Sequence, residues 1–309
     1  MSVEVLTPSG LAFDTTVPLA KAEARGGLLA PYWELTKPRL VLLVLFTTAV
    51  GYWLGSHASF DWLVFLATLV GTALVAGGAC TWNQVLERSP DALMRRTARR
   101  PLPSRQVGVF ASSCFGSALT IAGILMLAWV DLTAACVALA TFLLYVCIYT
   151  PLKSRTTLNT AVGAVPGALP CVIGWAAATG RLSAEGWTLF LIVFLWQFPH
   201  FLAIAWIYRE DYARAGMRML PCIDPLGKLT ATQAVVFSLL LLPAGLLPTV
   251  AGLAGYWCAA GSLVLGLVYL NAALRFARQV SDQRARDLMR ASFLYLPVLL
   301  LLLLANSYR

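Results

Sequence analysis

The sequence predicts an all-α, polytopic membrane protein whose chain crosses the bilayer nine times. Three observations carry that expectation. Of 309 residues, 59% are hydrophobic and only 12% charged, against about 25% charged in a soluble globular domain, and the mean hydropathy is +0.76. Nine apolar runs are long enough to cross a hydrocarbon core of about 30 Å. Positive charge falls almost wholly on one side of the path that those runs define.

In chain order the expected spans are 39–56, 62–84, 107–128, 132–150, 158–178, 187–207, 230–250, 255–274 and 290–306. With a cytoplasmic N-terminus, 21 of the 23 Lys and Arg lie inside, and only Arg181 and Arg309 lie outside. A missed or extra span in mid-chain would scramble that parity, so the split supports both count and polarity. The expectation is a multi-pass protein of the inner (cytoplasmic) membrane, N-terminus cytoplasmic and C-terminus outside. Its formal charge of +9 then reflects topology and attraction to membrane lipid and phosphate, with no nucleic acid as partner.

Residues 1–30 carry no apolar core of signal-peptide type and read as a flexible cytoplasmic tail ahead of a single transmembrane domain, 31–309. The segment PYWELTKPR (31–39) sets Tyr32 and Trp33 beside Lys37 and Arg39, the composition of an interface anchor. Outside connections are short, whereas the inside segments 85–106, 208–229 and 275–289 are long and charged. The working face is therefore expected on the cytoplasmic side. Spans 2 and 6 are each followed by a long acidic and basic loop, which suggests two four-helix pseudo-repeats plus one helix. Seven cysteines, none in a C-x-x-C pattern, read as apolar packing.

The chemistry concentrates at NQVLERSPDALMRRTARRPLPS (83–104). Asn83, Glu87 and Asp91 are spaced i, i+4, i+8, which puts three oxygen-bearing side chains on one helix face over about 12 Å of rise. Such a stripe at the mouth of a span suits Mg²⁺, which takes one or two carboxylates and completes its shell with water and substrate phosphate. Pro90 predicts a kink or end between Glu87 and Asp91. The competing reading is a solvated helix end whose charges fix topology. Arg95, Arg96, Arg99 and Arg100 follow; one or two suit a diphosphate clamp, the others inside-positive charge. In WQFPHFLAIAWIYREDYARAGMRMLP (196–221), His200 sits in an apolar span, and Arg209, Glu210 and Asp211 close it. Intramembrane His serves either a cavity or a helix–helix hydrogen bond, and both stay open. His57 reads as a surface residue. In YTPLKSR (149–155), Lys153 is either a point charge for phosphate or an orientation signal.

The pattern N-x3-E-x3-D-x2-M-x-R-T-x2-R-P-L (83–102) resembles the first signature of the UbiA-type intramembrane prenyltransferases, and within them the protohaem IX farnesyltransferase (haem O synthase) branch. ELTKPR (34–39), YTPLKSR (149–155), WQFPHF (196–201) and YREDYARAGMRMLP (208–221) are similar to that branch in the same order, from about Glu34 onward. The resemblance implies a central cavity among the helices and Mg²⁺-dependent transfer of farnesyl from farnesyl diphosphate to a vinyl group of haem B. It also implies hand-over of the product to haem A synthase or a terminal oxidase. Carried onto this chain, Asn83, Glu87 and Asp91 would hold Mg²⁺–diphosphate, and Asp211, with Glu210, would belong to a second metal or diphosphate site. Arg96, Arg100 and Lys153 would neutralise the departing diphosphate, and Thr97, His200, Tyr208, Arg209 and Glu210 would contact the substrates, His200 at the haem. Against the superfamily pattern N-D-x2-D-x3-D, position 84 is Gln and position 87 is Glu.

Three other readings compete. A prenyltransferase for a quinone precursor or other aromatic acceptor shares the motifs, but Glu87 and WQFPHF favour haem. A secondary transporter should gather its polar residues near the midplane, not at one face. A structural membrane subunit leaves the ordered motifs without a purpose.

Overall fold

In this computed structural model residues 27, 29–56 and 60–307 are described. The expected tail over 1–30 lies outside them except for Gly27, Leu29 and Ala30, as do His57 and Arg309.

Nine helices among the described residues are long and apolar enough to cross a membrane. They are α1 (Pro38–Gly55), α2 (Trp62–Leu86), α3 (Val109–Val130), α4 (Leu132–Leu152), α5 (Asn159–Thr179), α6 (Ala184–Ile207), α7 (Lys228–Val250), α8 (Tyr256–Arg278) and α9 (Asp282–Ala305). Two of their starts are capped by aspartate: Asp61 accepts from the Leu63 and Val64 amides, Asp131 from that of Ala134. The largest departure from the expected boundaries is α9, which begins at Asp282 and not near 290. Its first turns are charged, which hides them from hydropathy, yet they are amphipathic. Ala285 and Leu288 are fully buried, while Asp287 sits between Arg284 (3.6 Å) and Arg290 (3.4 Å).

The helix pairing carries the pseudo-repeat that letter-by-letter comparison barely shows. Contacts α1–α2, α2–α3, α3–α4, α4–α5 and α2–α5 recur, four helices on, as α5–α6, α6–α7, α7–α8, α8–α9 and α6–α9. The innermost members are α5 and α6. Phe110, Leu125, Trp129 and Leu132 point outward, as lipid-facing side chains should. Between α2 and α3 the approach is close enough that a Cβ on Gly123 would sit 2.6 Å from the Gly71 carbonyl oxygen, the small-residue packing that membrane helices favour.

The charged segments following α2, α4 and α6 meet at one end of the bundle. The Arg218 amide donates to the Lys153 carbonyl (2.7 Å), and Arg96 reaches the Tyr212 hydroxyl (3.2 Å). At the other end, Thr133 donates to the Gly180 carbonyl (3.2 Å).

Candidate active site

Apart from Thr68, Thr72 and Thr81, α2 runs apolar until Asn83 opens its last turn, and it ends at Leu86. Glu87 leaves helical geometry (φ −91°, ψ 8°), and a short helix, Arg88–Leu93, follows with Pro90 in its first turn. The bend expected from Pro90 therefore falls at Glu87. The backbone ladder still passes through it, since the Glu87 amide donates to the Asn83 carbonyl (2.9 Å) and the Asp91 amide to that of Glu87 (2.8 Å). All three side chains stay on one face and are buried.

Each of the three meets a cation from a different element. The Lys37 ammonium, at the entry to α1, donates to Asn83 Oδ1 at 2.7 Å. Lys153, just past α4, lies 2.7 Å from Glu87 Oε1. Arg100, in the loop after the short helix, lies 2.8 Å from Asp91 Oδ2. Thr97 donates to the Asp91 carbonyl (2.7 Å), and Asn83 Nδ2 donates to Thr150 Oγ1 (3.1 Å). Buried charge is costly unless paired, and this cluster sets three cations against two carboxylates and a neutral amide. The surplus is positive, which suits a polyanion. Burial holds the Lys37 ammonium below the ordinary lysine value. Burial pulls Lys153 the same way, but the Glu87 carboxylate, helped by the Tyr149 and Tyr145 hydroxyls, outweighs it, and its pKa lies well above that value.

The cluster fits a divalent ion only in an open form. Among the described residues no three His, Cys, Asp or Glu side chains converge into a closed cage. Asp91 Oδ1, however, is buried with no hydrogen-bond partner, and an orphaned carboxylate oxygen beside a second carboxylate is what Mg²⁺ needs when phosphate and water complete its shell.

The turn after α6 faces this cluster through Arg96, whose guanidinium lies 4.6 Å from the Tyr208 ring and 5.7 Å from that of Tyr212. Asp211 is next to Tyr212 and pairs with Arg214 at 3.0 Å; Glu210 is exposed. Arg209 turns instead to α9, with Asp282 and the Trp206 carbonyl each at 2.7 Å. His200 packs in the α6–α9 contact, its Nδ1 2.7 Å from Ser292 Oγ and its ring stacked on Trp196 at 5.1 Å. Phe198 is likewise a packing ring, stacked on Phe237 at 3.7 Å.

Two groups at the site went unread in the sequence. Lys37 looked like one more interfacial cation, because its partner Asn83 is distant in the chain and neutral. Beside the Lys153–Glu87 pair stand the rings of Tyr149 and Tyr145, 5.4 Å apart in a π-helical turn, Leu144–Tyr149, with Lys153 Nζ 4.6 Å from the Tyr149 ring. Such turns often mark functional positions.

Comparison with known proteins bears on this arrangement. The model of the UbiA prenyltransferase family matches residues 44–296. A protoheme IX farnesyltransferase of Solibacter usitatus is 46% identical over 286 residues, 89% of this chain and 98% of that protein. One of Salinibacter ruber is 42% identical over 282 residues, covering 91% and 100%. Among solved structures, one of a digeranylgeranylglyceryl phosphate synthase aligns with a TM-score of 0.77 at 17% identity, over 90% of this chain and 98% of that one. A UbiA homologue from Archaeoglobus fulgidus bound to GPP and Mg²⁺ aligns with a TM-score of 0.62 at 14% identity, over 89% and 100%. At those identities the structural likeness speaks to the fold.

Proposed function

The chain belongs to the UbiA prenyltransferase family, and on that premise we propose that it transfers the farnesyl group of farnesyl diphosphate to a vinyl carbon of haem B, with addition of water, giving haem O and diphosphate. The relatives at 46% and 42% identity bear the name of that activity over nearly their whole length. The observation in this chain that carries the reading is the buried Asn83–Glu87–Asp91 stripe with an excess of cations on it and one carboxylate oxygen left over.

Glu87 and Asp91, with Asn83 beside them, would hold Mg²⁺, which when bound supplies charge neutralisation to the diphosphate, while Asp211, paired with Arg214 on the facing turn, would serve a second metal or the diphosphate itself. Arg100 and Lys153 already sit on those carboxylates, so a bound diphosphate finds their donors within reach and draws them onto its own oxygens. Arg96, held between Tyr208 and Tyr212, adds a third donor at the mouth. With its negative charge matched, diphosphate departs with the electron pair of the C–O bond. The vinyl π electrons close the new C–C bond to farnesyl, and water captures the cation left beside the porphyrin, losing a proton. Tyr145 and Tyr149 offer faces to the allylic cation without a strong competing nucleophile. Thr97 holds the Asp91 backbone in place. His200, Arg209 and Glu210 are the proposed haem contacts of the second span and loop. With its Nδ1 held by Ser292, His200 would act as ligand or propionate partner through Nε2, and Arg209 would have to leave Asp282 to join it.

The reading extends to topology. The domain is 31–309, the charged end of the bundle is cytoplasmic, the membrane is the inner one, and haem O passes on to haem A synthase or a terminal oxidase. The test incubates purified protein with haem B, Mg²⁺ and farnesyl diphosphate and seeks haem O by chromatography and mass spectrometry. EDTA should abolish product and Mg²⁺ restore it. Absence of any farnesylated haem would refute the assignment.

A further inference from the structure

The corner that leads into α1 is organised around Lys37. That residue takes a left-handed backbone (φ 50°, ψ 62°) directly before Pro38, a conformation that only glycine adopts without steric cost. Residues so placed persist where their surroundings over-determine them. Here the surroundings are specific. Gln84 Nε2 donates to the Leu35 carbonyl at 3.0 Å and to that of Glu34 at 3.4 Å. Leu35, fully buried, packs with Val85 and Leu102, and Tyr32 meets the Phe115 ring edge-on at 5.1 Å. The corner is thereby fastened to α2 one residue past Asn83, and the Lys37 ammonium arrives 2.7 Å from Asn83 Oδ1.

An interfacial lysine extends its stem toward the headgroups, whereas this one turns inward onto the motif. Arg100 and Lys153 each face a carboxylate, but the hydrogen bond of Lys37 goes to a neutral amide. Lys37 is thus the cation that makes the cluster's charge positive, and a part-buried ammonium whose hydrogen bond goes to a neutral amide, not to a carboxylate, invites an anion.

We infer that Lys37 is a direct ligand of the substrate diphosphate, carried into the site by the 34–38 corner, and that Gln84 is the positioning residue that holds the corner in register. This rests on the reading of the site as one for an isoprenoid diphosphate. In the free protein Asn83 holds the ammonium; in the complex a phosphate oxygen shares or replaces that bond.

The test measures binding of inorganic pyrophosphate with Mg²⁺ to the full-length protein in detergent, by calorimetry, with thermal unfolding recorded for each variant. Lys37→Met should weaken binding about tenfold or more, the size of a charge-assisted hydrogen bond, and Lys37→Arg should recover part of the loss. Gln84→Met should weaken binding several-fold alone and add nothing in the Lys37→Met background, because it acts through Lys37. Wild-type affinity in Lys37→Met overturns the diphosphate role. A fully additive Gln84→Met loss overturns the positioning role. If Lys37→Met does not fold, Lys37→Gln, which keeps a donor to Asn83 without the charge, decides by the same criterion. Should wild type itself bind no pyrophosphate, the site reading falls and this inference with it. Should Lys153→Met weaken binding while Lys37→Met does not, the inference alone falls.

Discussion

Asp91 has two carboxylate oxygens in different situations. Oδ2 holds Arg100 at 2.8 Å, while Oδ1 is buried and partnerless. A residue kept for structure alone would waste one buried acceptor, which costs about 1–3 kcal/mol. Occupancy by a metal, as proposed for this site, would remove that cost, so the substitutions should separate the two oxygens' roles. Asp91→Asn keeps an acceptor for Arg100 and removes the charge a divalent ion needs. Its haem O formation should fall on the order of 10²-fold or more, with only a small shift in thermal unfolding. Asp91→Ala also strands Arg100 beside a buried hole, and breaking a buried pair in that way costs about 3–5 kcal/mol, so this variant should lose stability as well as turnover. Equal unfolding temperatures for the two, with activity retained in both, would remove Asp91 from the site. The same logic applies to Lys153→Met, which leaves the Glu87 carboxylate buried beside Tyr149. Its unfolding should be earlier than that of wild type even without substrate.

Elements matter here because the site draws on the corner before α1, the end of α2 with the short helix and loop after it, and the end of α4. A close approach to α5 holds α1 in place. Gly174 of α5 lies against the Thr48 carbonyl of α1, and Gly51 of α1 against the Cys171 carbonyl of α5; a Cβ at either would overlap the facing backbone. Gly174→Ala should therefore cost about 1–3 kcal/mol by forcing the helices apart, despite the better helix propensity of alanine. Gly108→Ala, where nothing lies within 4 Å of an added Cβ and only the N-cap preference of α3 is disturbed, should cost no more than about 1 kcal/mol. Thermal unfolding in detergent distinguishes the two. All nine spanning elements were readable from hydropathy and charge parity, because a lipid-facing helix must be apolar along its whole length. The exceptions have physical reasons. The first turns of α9 are amphipathic and charged, and the π-helical turn in α4 depends on where a carbonyl finds its donor: Pro151 has no N–H to give Cys147, and the Thr150 amide bonds to Tyr145. The motif 83–102 was equally legible, since its spacing alone puts Asn83, Glu87 and Asp91 on one face. Lys37 was not, because a left-handed corner and a bond to a neutral partner leave no periodic trace.

The molecule as a whole sorts charge by end, and that sorting makes its topology testable. The segment 88–105, the Lys153 loop and Lys37 carry the cations of the site, while Arg181 follows α5. Between residues 104 and 181 lie α3, α4 and α5. Three crossings put the two positions on opposite faces of the membrane. With every native cysteine replaced, Ser104→Cys should react with a membrane-impermeant maleimide only in inverted vesicles, and Arg181→Cys only in right-side-out ones. Labelling of both from the same face would mean that one of these helices does not span, and the parity of every later loop would change with it. Lys153 is two crossings from Ser104 and must share its face, or it could not lie 2.7 Å from Glu87. The diphosphate, too polar to cross the bilayer core, must then enter from the face on which Ser104→Cys is labelled. Farnesyl diphosphate supplied to vesicles sealed with that face inward should yield no haem O until the membrane is opened.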